Sequence, residues 1–83
     1  MISRKTKQTL AAIDRDLARI QSAVAEQTRD EDVRDEDSAI ELLFNHSRHV
    51  AAIADAAALS VADVQSAVDD LHSLSADELA TIY

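Results

Sequence analysis

The sequence predicts an all-α protein, with a long N-terminal helix followed by a compact, helix-turn-helix-like bundle of three to four short helices. Three observations lead there. The 83 residues include no Gly and no Pro, so turns that need positive φ fall on other residues, and helices joined by short links suit the chain better than hairpins. Apolar residues recur at spacings of three and four. A Ser is followed three positions later by an acid at Ser38–Glu41, Ser60–Asp63 and Ser75–Glu78, the spacing of a helix N-terminal capping box.

Residues 1–29 form the first expected unit, a single helix from Ser3 to about Thr28. Its apolar stripe is Leu10, Ile13, Leu17, Ile20 and Val24, an a/d seam with Leu at a and Ile at d. The stripe is expected either to pack on the chain's own core or to pair two copies. Composition favours the second. Of 39 apolar residues 16 are Ala, and there is one Phe and one Tyr, so a single copy has a thin core. Self-association as a homodimer is therefore expected, with Leu10, Ile13, Leu17, Ile20 and Val24 as its interface.

Residues 30–37 read as an acidic linker. In the stretch Arg29–Asp37 six of nine residues are acidic and Val33 alone is apolar, which describes a solvated connection. From Ser38 to residue 83 a helical domain follows. Ile40, Leu42, Leu43 and Phe44 are its densest cluster of large side chains, and Phe44 is expected to anchor the core. Asn45 to His49 are, Arg48 aside, weak helix formers, so a break is expected there with Ser47 restarting the chain as N-cap. Val50, Ile53, Ala54 and Ala57 give the inner face of the next helix. Leu59-Ser60 turns the chain, with Leu59 and Val64 at staple spacing. Val61, Val64, Val68 and Leu71 line the helix after that. A last short helix runs from Ala76 to about Ile82, unless Thr81-Ile82-Tyr83 ends as a strand.

On these residues, Ile40–Leu71 resembles the tri-helical core of winged helix-turn-helix regulators such as the MarR and ArsR families. IELLFN stands for the first helix, HVAAIADAAA for the second, Leu59-Ser60 for the turn and VADVQSAVDDL for the third. Ala58 stands where those families usually carry Gly. The resemblance implies a helix-turn-helix scaffold whose third helix reads the major groove and presents Ala62, Asp63, Gln65, Ser66, Asp69 and Asp70. Gln65 and Ser66 suit base edges, but three of the six are acids that would meet phosphates. No Lys or Arg follows Arg48, and a glycine-containing wing is missing.

Charge divides the chain in the same sense. Residues 1–29 carry six cations against three acids, net +3, and residues 30–83 carry two against thirteen, net −11, giving −8 in all. The acidic bulk disfavours loose phosphate binding, and the basic N-terminal part is placed by charge to lie against it, in the same chain or in a second copy. Catalysis has little to draw on. Without Gly there are no phosphate-cradling loops or nucleophile elbows, and without Cys no thiol chemistry or disulfides. His46 and His49 share a side at a spacing of three with no third ligand at helical spacing, so a polar turn rather than a metal site is expected; His72 suits a helix C-terminus.

The expectation is a non-enzymatic, acidic, cytoplasmic protein without cofactor, metal, membrane span or small-molecule substrate. It is a small regulatory module, an adaptor or inhibitor of phage or plasmid type, that binds another protein through Asp63, Gln65, Ser66, Asp69 and Asp70. The competing expectation is a dimeric DNA-binding transcription regulator in which Arg4, Lys5 and Lys7 contact phosphates.

Overall fold

The computed structural model describes residues 3–82, which fold as six α-helices with no strand among them. These are α1 (Arg4–Arg15), α2 (Leu17–Thr28), α3 (Ala39–Asn45), α4 (Val50–Ala57), α5 (Val61–His72) and α6 (Ala76–Ile82), with 3-10 turns at Glu31–Asp35 and Ser47–His49. None of them is long and apolar enough to cross a membrane.

The expected single N-terminal helix is two. Ser3 opens α1 by accepting the Thr6 amide at 3.1 Å. At Asp16 the backbone leaves helical geometry (φ −120°, ψ 30°), its amide turning back to the Ile13 carbonyl at 3.2 Å. Its own carbonyl then accepts the Ile20 amide at 2.9 Å and starts α2. The break separates two packing tasks: α1 lies on α5 and α3, α2 on the Glu31–Asp35 turn and α4. The stripe read as a dimer seam is consumed in the process. Leu10, Ile13, Ile20 and Val24 are buried in the chain's own core, and Leu17 packs half-buried against it. The spacing puts Leu10 and Ile13 on one face of α1 and Leu17, Ile20 and Val24 on one face of α2, so it serves two short helices as well as one long one.

The acidic stretch stays largely exposed, as expected of a solvated connection, but it is folded and gives one side chain, Val33, to the core. α2 closes at Arg29 in the left-handed region (φ 57°), where the Thr28 hydroxyl donates to the Val24 carbonyl at 2.8 Å and accepts the Asp30 amide at 3.3 Å. Asp30 then caps the 3-10 turn by accepting the Asp32 amide at 3.2 Å. The turn swings Val33 inward to 0% exposure while its acids face outward or sideways.

α3 has two N-terminal caps. Ser38 accepts the Glu41 amide at 3.2 Å, and Asp14 of α1 reaches across to accept the Ala39 amide at 2.8 Å. The anionic cap also suits the positive end of the helix dipole. The core face of α3 is Ala39, Leu42 and Leu43, spaced i, i+3, i+4. Phe44 falls one residue further round and is 40% exposed, its ring edge-on to His72 at 4.9 Å, so it does not anchor the core. The break after Asn45 is present, but Ser47 does not cap it; His46 and His49 occupy the cap positions without side-chain cap bonds.

α4 and α5 are joined through Ala58, which has φ 58° and ψ 37°. The Leu59 amide bonds the Ala54 carbonyl at 2.9 Å and the Ala58 amide bonds the Asp55 carbonyl at 3.2 Å, the two bonds of a Schellman motif with Ala58 at its left-handed position. A Cβ is disfavoured there by about 1–2 kcal/mol. Ala58→Gly is therefore expected to stabilise the protein by about 1 kcal/mol once the greater unfolded-state freedom of Gly is deducted. Tm should rise by about 4–8 °C for a domain of this size; an unchanged or lower Tm in a calorimetric scan would contradict the assignment. Ser60 then caps α5 through the Asp63 amide at 3.1 Å, and Ser75 caps α6 through the Glu78 amide at 3.2 Å. Thr81 and Ile82 continue α6 and do not form a strand; Tyr83 lies outside the described residues.

Candidate interaction face and histidine cluster

The five α5 residues expected to form one partner-binding face are divided by α1. Lys5 Nζ lies 2.8 Å from Asp63 Oδ1. Asp70 accepts the Ser3 hydroxyl at 3.1 Å, the Ser3 amide at 3.4 Å and the hydroxyl of the buried Thr6. The basic segment thus lies on the acidic helix within one chain, as the charge asymmetry suggests. Gln65, Ser66 and Asp69 stay exposed together with Ala62, and the Gln65 side-chain amide donates to Asp69 at 3.1 Å. Of the three cations expected to meet phosphates, Lys5 is engaged by Asp63, whereas Arg4 and Lys7 are exposed.

These contacts are electrostatically sensitive. The hydrogen bond from Lys5, then that from Ser60, holds the Asp63 carboxyl below its ordinary range; the Thr6 hydroxyl, then the Ser3 hydroxyl, does the same for Asp70. A carboxyl whose value is depressed by folding adds stability that is complete above its unfolded value, about 3.9, and is lost as pH falls through the folded one. Acid unfolding is therefore expected to begin below about pH 4. In Asp70→Asn that limb of the stability–pH curve should flatten, as followed by urea midpoints; an unchanged limb would show that the α1–α5 contact contributes nothing.

A second constellation forms where the acidic stretch meets the α3–α4 break. His46 is 6% exposed. Its Nε2 lies 3.0 Å from Glu36 Oε1 and its Nδ1 3.9 Å from Asp30 Oδ2. His49 Nε2 lies 3.3 Å from the same Asp30 Oδ2, and the two imidazoles are near-parallel with centroids 6.2 Å apart. Glu36 is itself fixed, since its carboxylate accepts from Asn45 Nδ2 at 3.2 Å and its carbonyl accepts from the buried Gln21 side chain. Arg48 lies over the group, donating from Nη2 to Asp30 Oδ2 and from Nε to His49 Nε2, each at 3.3 Å. Burial pushes the Asp30 carboxyl up, but hydrogen bonds from His49, Arg48 and the Asp32 amide, with the charge of His46, together hold it below its ordinary value.

The histidine pair is visible in the sequence as His-x-x-His. The acids that complete the group are not, because Asp30 and Glu36 belong to a run of six acids with nothing to distinguish them. The 3-10 turn makes the selection: it brings Asp30 and Glu36 to the two sides of the His46 ring. Asp30, His46 and His49 each offer a ligand atom, all within 4.8 Å of one another.

No protein-family model matches this chain, and no curated protein and no solved structure shows detectable similarity to it.

Proposed function

We propose that this chain is a small regulatory protein-interaction module of the cytoplasm, built on a helix-turn-helix-like scaffold, that acts by binding another protein and catalyses no reaction. The observation that carries the reading is the outer side of α5. Gln65, Ser66 and Asp69 stand exposed there, and α5 holds no Lys or Arg to meet a phosphate backbone. Such a polar, acidic surface suits the complementary patch of a basic protein partner. Because the α1–α2 stripe is used inside the chain, the reading does not depend on a homodimer.

The test is capture of a partner from the source cell on immobilised protein, repeated with Gln65→Lys, Ser66→Lys and Asp69→Lys combined. Capture should be lost while the thermal melt is unchanged. A partner held equally well by the triple variant would remove α5 from the interface.

The DNA-regulator reading keeps one supporting observation, the exposed cations Arg4, Lys7, Arg15 and Arg19 along α1 and the start of α2. It requires affinity for random duplex DNA that falls steeply with salt and is lost when Arg4, Lys5 and Lys7 become Ala. Absence of binding at about millimolar protein in low salt would eliminate it.

A further inference from the structure

The Asp30–His46–His49 cluster brings three atoms able to ligate a cation within 4.8 Å of one another. A carboxylate accepts, so the ring nitrogen of His46 beside Glu36, Nε2, carries the hydrogen of that 3.0 Å contact. In the neutral ring Nδ1 is then a bare lone pair, and it faces Asp30 Oδ2. His49 brings Nε2 to 3.3 Å from the same Asp30 oxygen, where Arg48 Nε also reaches it at 3.3 Å, and the tautomer with the hydrogen on Nδ1 frees that nitrogen for a metal ion. Two imidazole nitrogens and a carboxylate oxygen thus lie together, with the Arg48 guanidinium donating to Asp30 and His49.

We propose that Asp30, His46 and His49 form a binding site for one Zn2+ ion, with Glu36 orienting His46. The donor set, two imidazole nitrogens and one carboxylate oxygen, is one that Zn2+ takes readily, leaving a fourth position for water or an incoming side chain. In a tetrahedral site with bonds near 2.0–2.1 Å, ligand atoms lie about 3.3 Å apart. The Asp30–His49 pair already has this separation, and the Asp30–His46 pair is 0.6 Å wider at 3.9 Å. The Glu36–His46 contact supplies the carboxylate–histidine pairing that sets tautomer and ring orientation at metal-bound histidines. Glu36 is in turn held by Asn45, so the ring is braced from outside the metal shell. Arg48 is the competitor: its side chain is 78% exposed and swings into solvent when the ion takes over its two contacts. The ion then fastens the start of the acidic stretch to the α3–α4 break, two segments joined otherwise by the Glu36 contacts.

The test is calorimetric titration of the full chain with Zn2+, with Co2+ as a spectroscopic probe of geometry. One equivalent of Zn2+ should bind and raise Tm, and Co2+ should give the intense visible bands of a four-coordinate ion. His49→Ala should abolish binding, and Glu36→Gln should weaken it by about 10–100-fold. Arg48→Ala should tighten it by about tenfold, because a competing pair of charge-assisted bonds is removed. That gain cannot arise from misfolding. No binding at about millimolar Zn2+, an equal response to Mg2+, binding that survives His49→Ala, or an Arg48→Ala variant that binds no tighter would each overturn the assignment.

Discussion

Ile13→Ala is expected to destabilise the folded chain by about 2–5 kcal/mol through lost burial and the cavity left behind. Ile13 is fully enclosed by the core that α1 shares with α3 and α5. A domain of 83 residues has a total stability of only about 4–12 kcal/mol, so the substitution removes a large part of it. The urea midpoint should fall equally at low and high protein concentration, because the side chain packs within one copy. A loss that shrinks as concentration rises would instead place Ile13 in an interface between copies. The stripe Leu10, Ile13, Leu17, Ile20 and Val24 has the spacing of a coiled-coil seam, so this concentration series separates its two possible uses directly.

Val33→Asp should be comparably damaging, with about 3–5 kcal/mol lost at neutral pH from a buried charge without a partner. The neighbouring acids Asp30, Glu31, Asp32 and Asp35 add repulsion. Were Val33 as solvated as its neighbours, a further acid among so many would change nothing measurable. Protonation relieves the burial cost, so part of the deficit should be recovered as pH is lowered toward 4. Chemical denaturation of Val33→Asp beside Val33→Ala, across that range, distinguishes charge from lost volume. Equal midpoints for Val33→Asp and the parent protein would return the segment to the solvent.

What was legible in the chain is local chemistry. Ser38, Ser60 and Ser75 each accept the amide three residues on, where the Ser-x-x-acid spacing places helix starts. The break after Asn45 and the helical face of Val64, Val68 and Leu71 also follow from the residues themselves, whereas Val61, expected on that face, is 52% exposed because it opens the first turn of α5, at the margin of the face the other three define. Ala58 takes the left-handed region, a conformation that favours Gly over any residue with a Cβ. Phe44 shows phase outweighing size: Ala39, Leu42 and Leu43 define the inner face of α3, and helical geometry turns Phe44 away from it. The break at Asp16 and the inward turn of Val33 were not legible. Each is decided by contacts with elements distant in sequence, and a spacing rule does not register those. The same holds for the partners of the histidines. The hold of α1 on Asp63 and Asp70 likewise depends on tertiary placement and leaves no mark in the spacing.

That hold has a consequence for how the protein comes into being. Ser3 and Thr6 find their acceptor on Asp70, 67 and 64 residues further along, so α1 is synthesised well before the helix that satisfies it. Closing so long a loop is slow, and a nascent α1 has no α5 to lie on while the later residues are still within the ribosome. During that interval its apolar stripe is uncovered, and it is then available to a chaperone or to a second nascent chain. The chain's vulnerability to misassembly is accordingly greatest during synthesis, before residue 70 has emerged, and ends when α1 reaches α5.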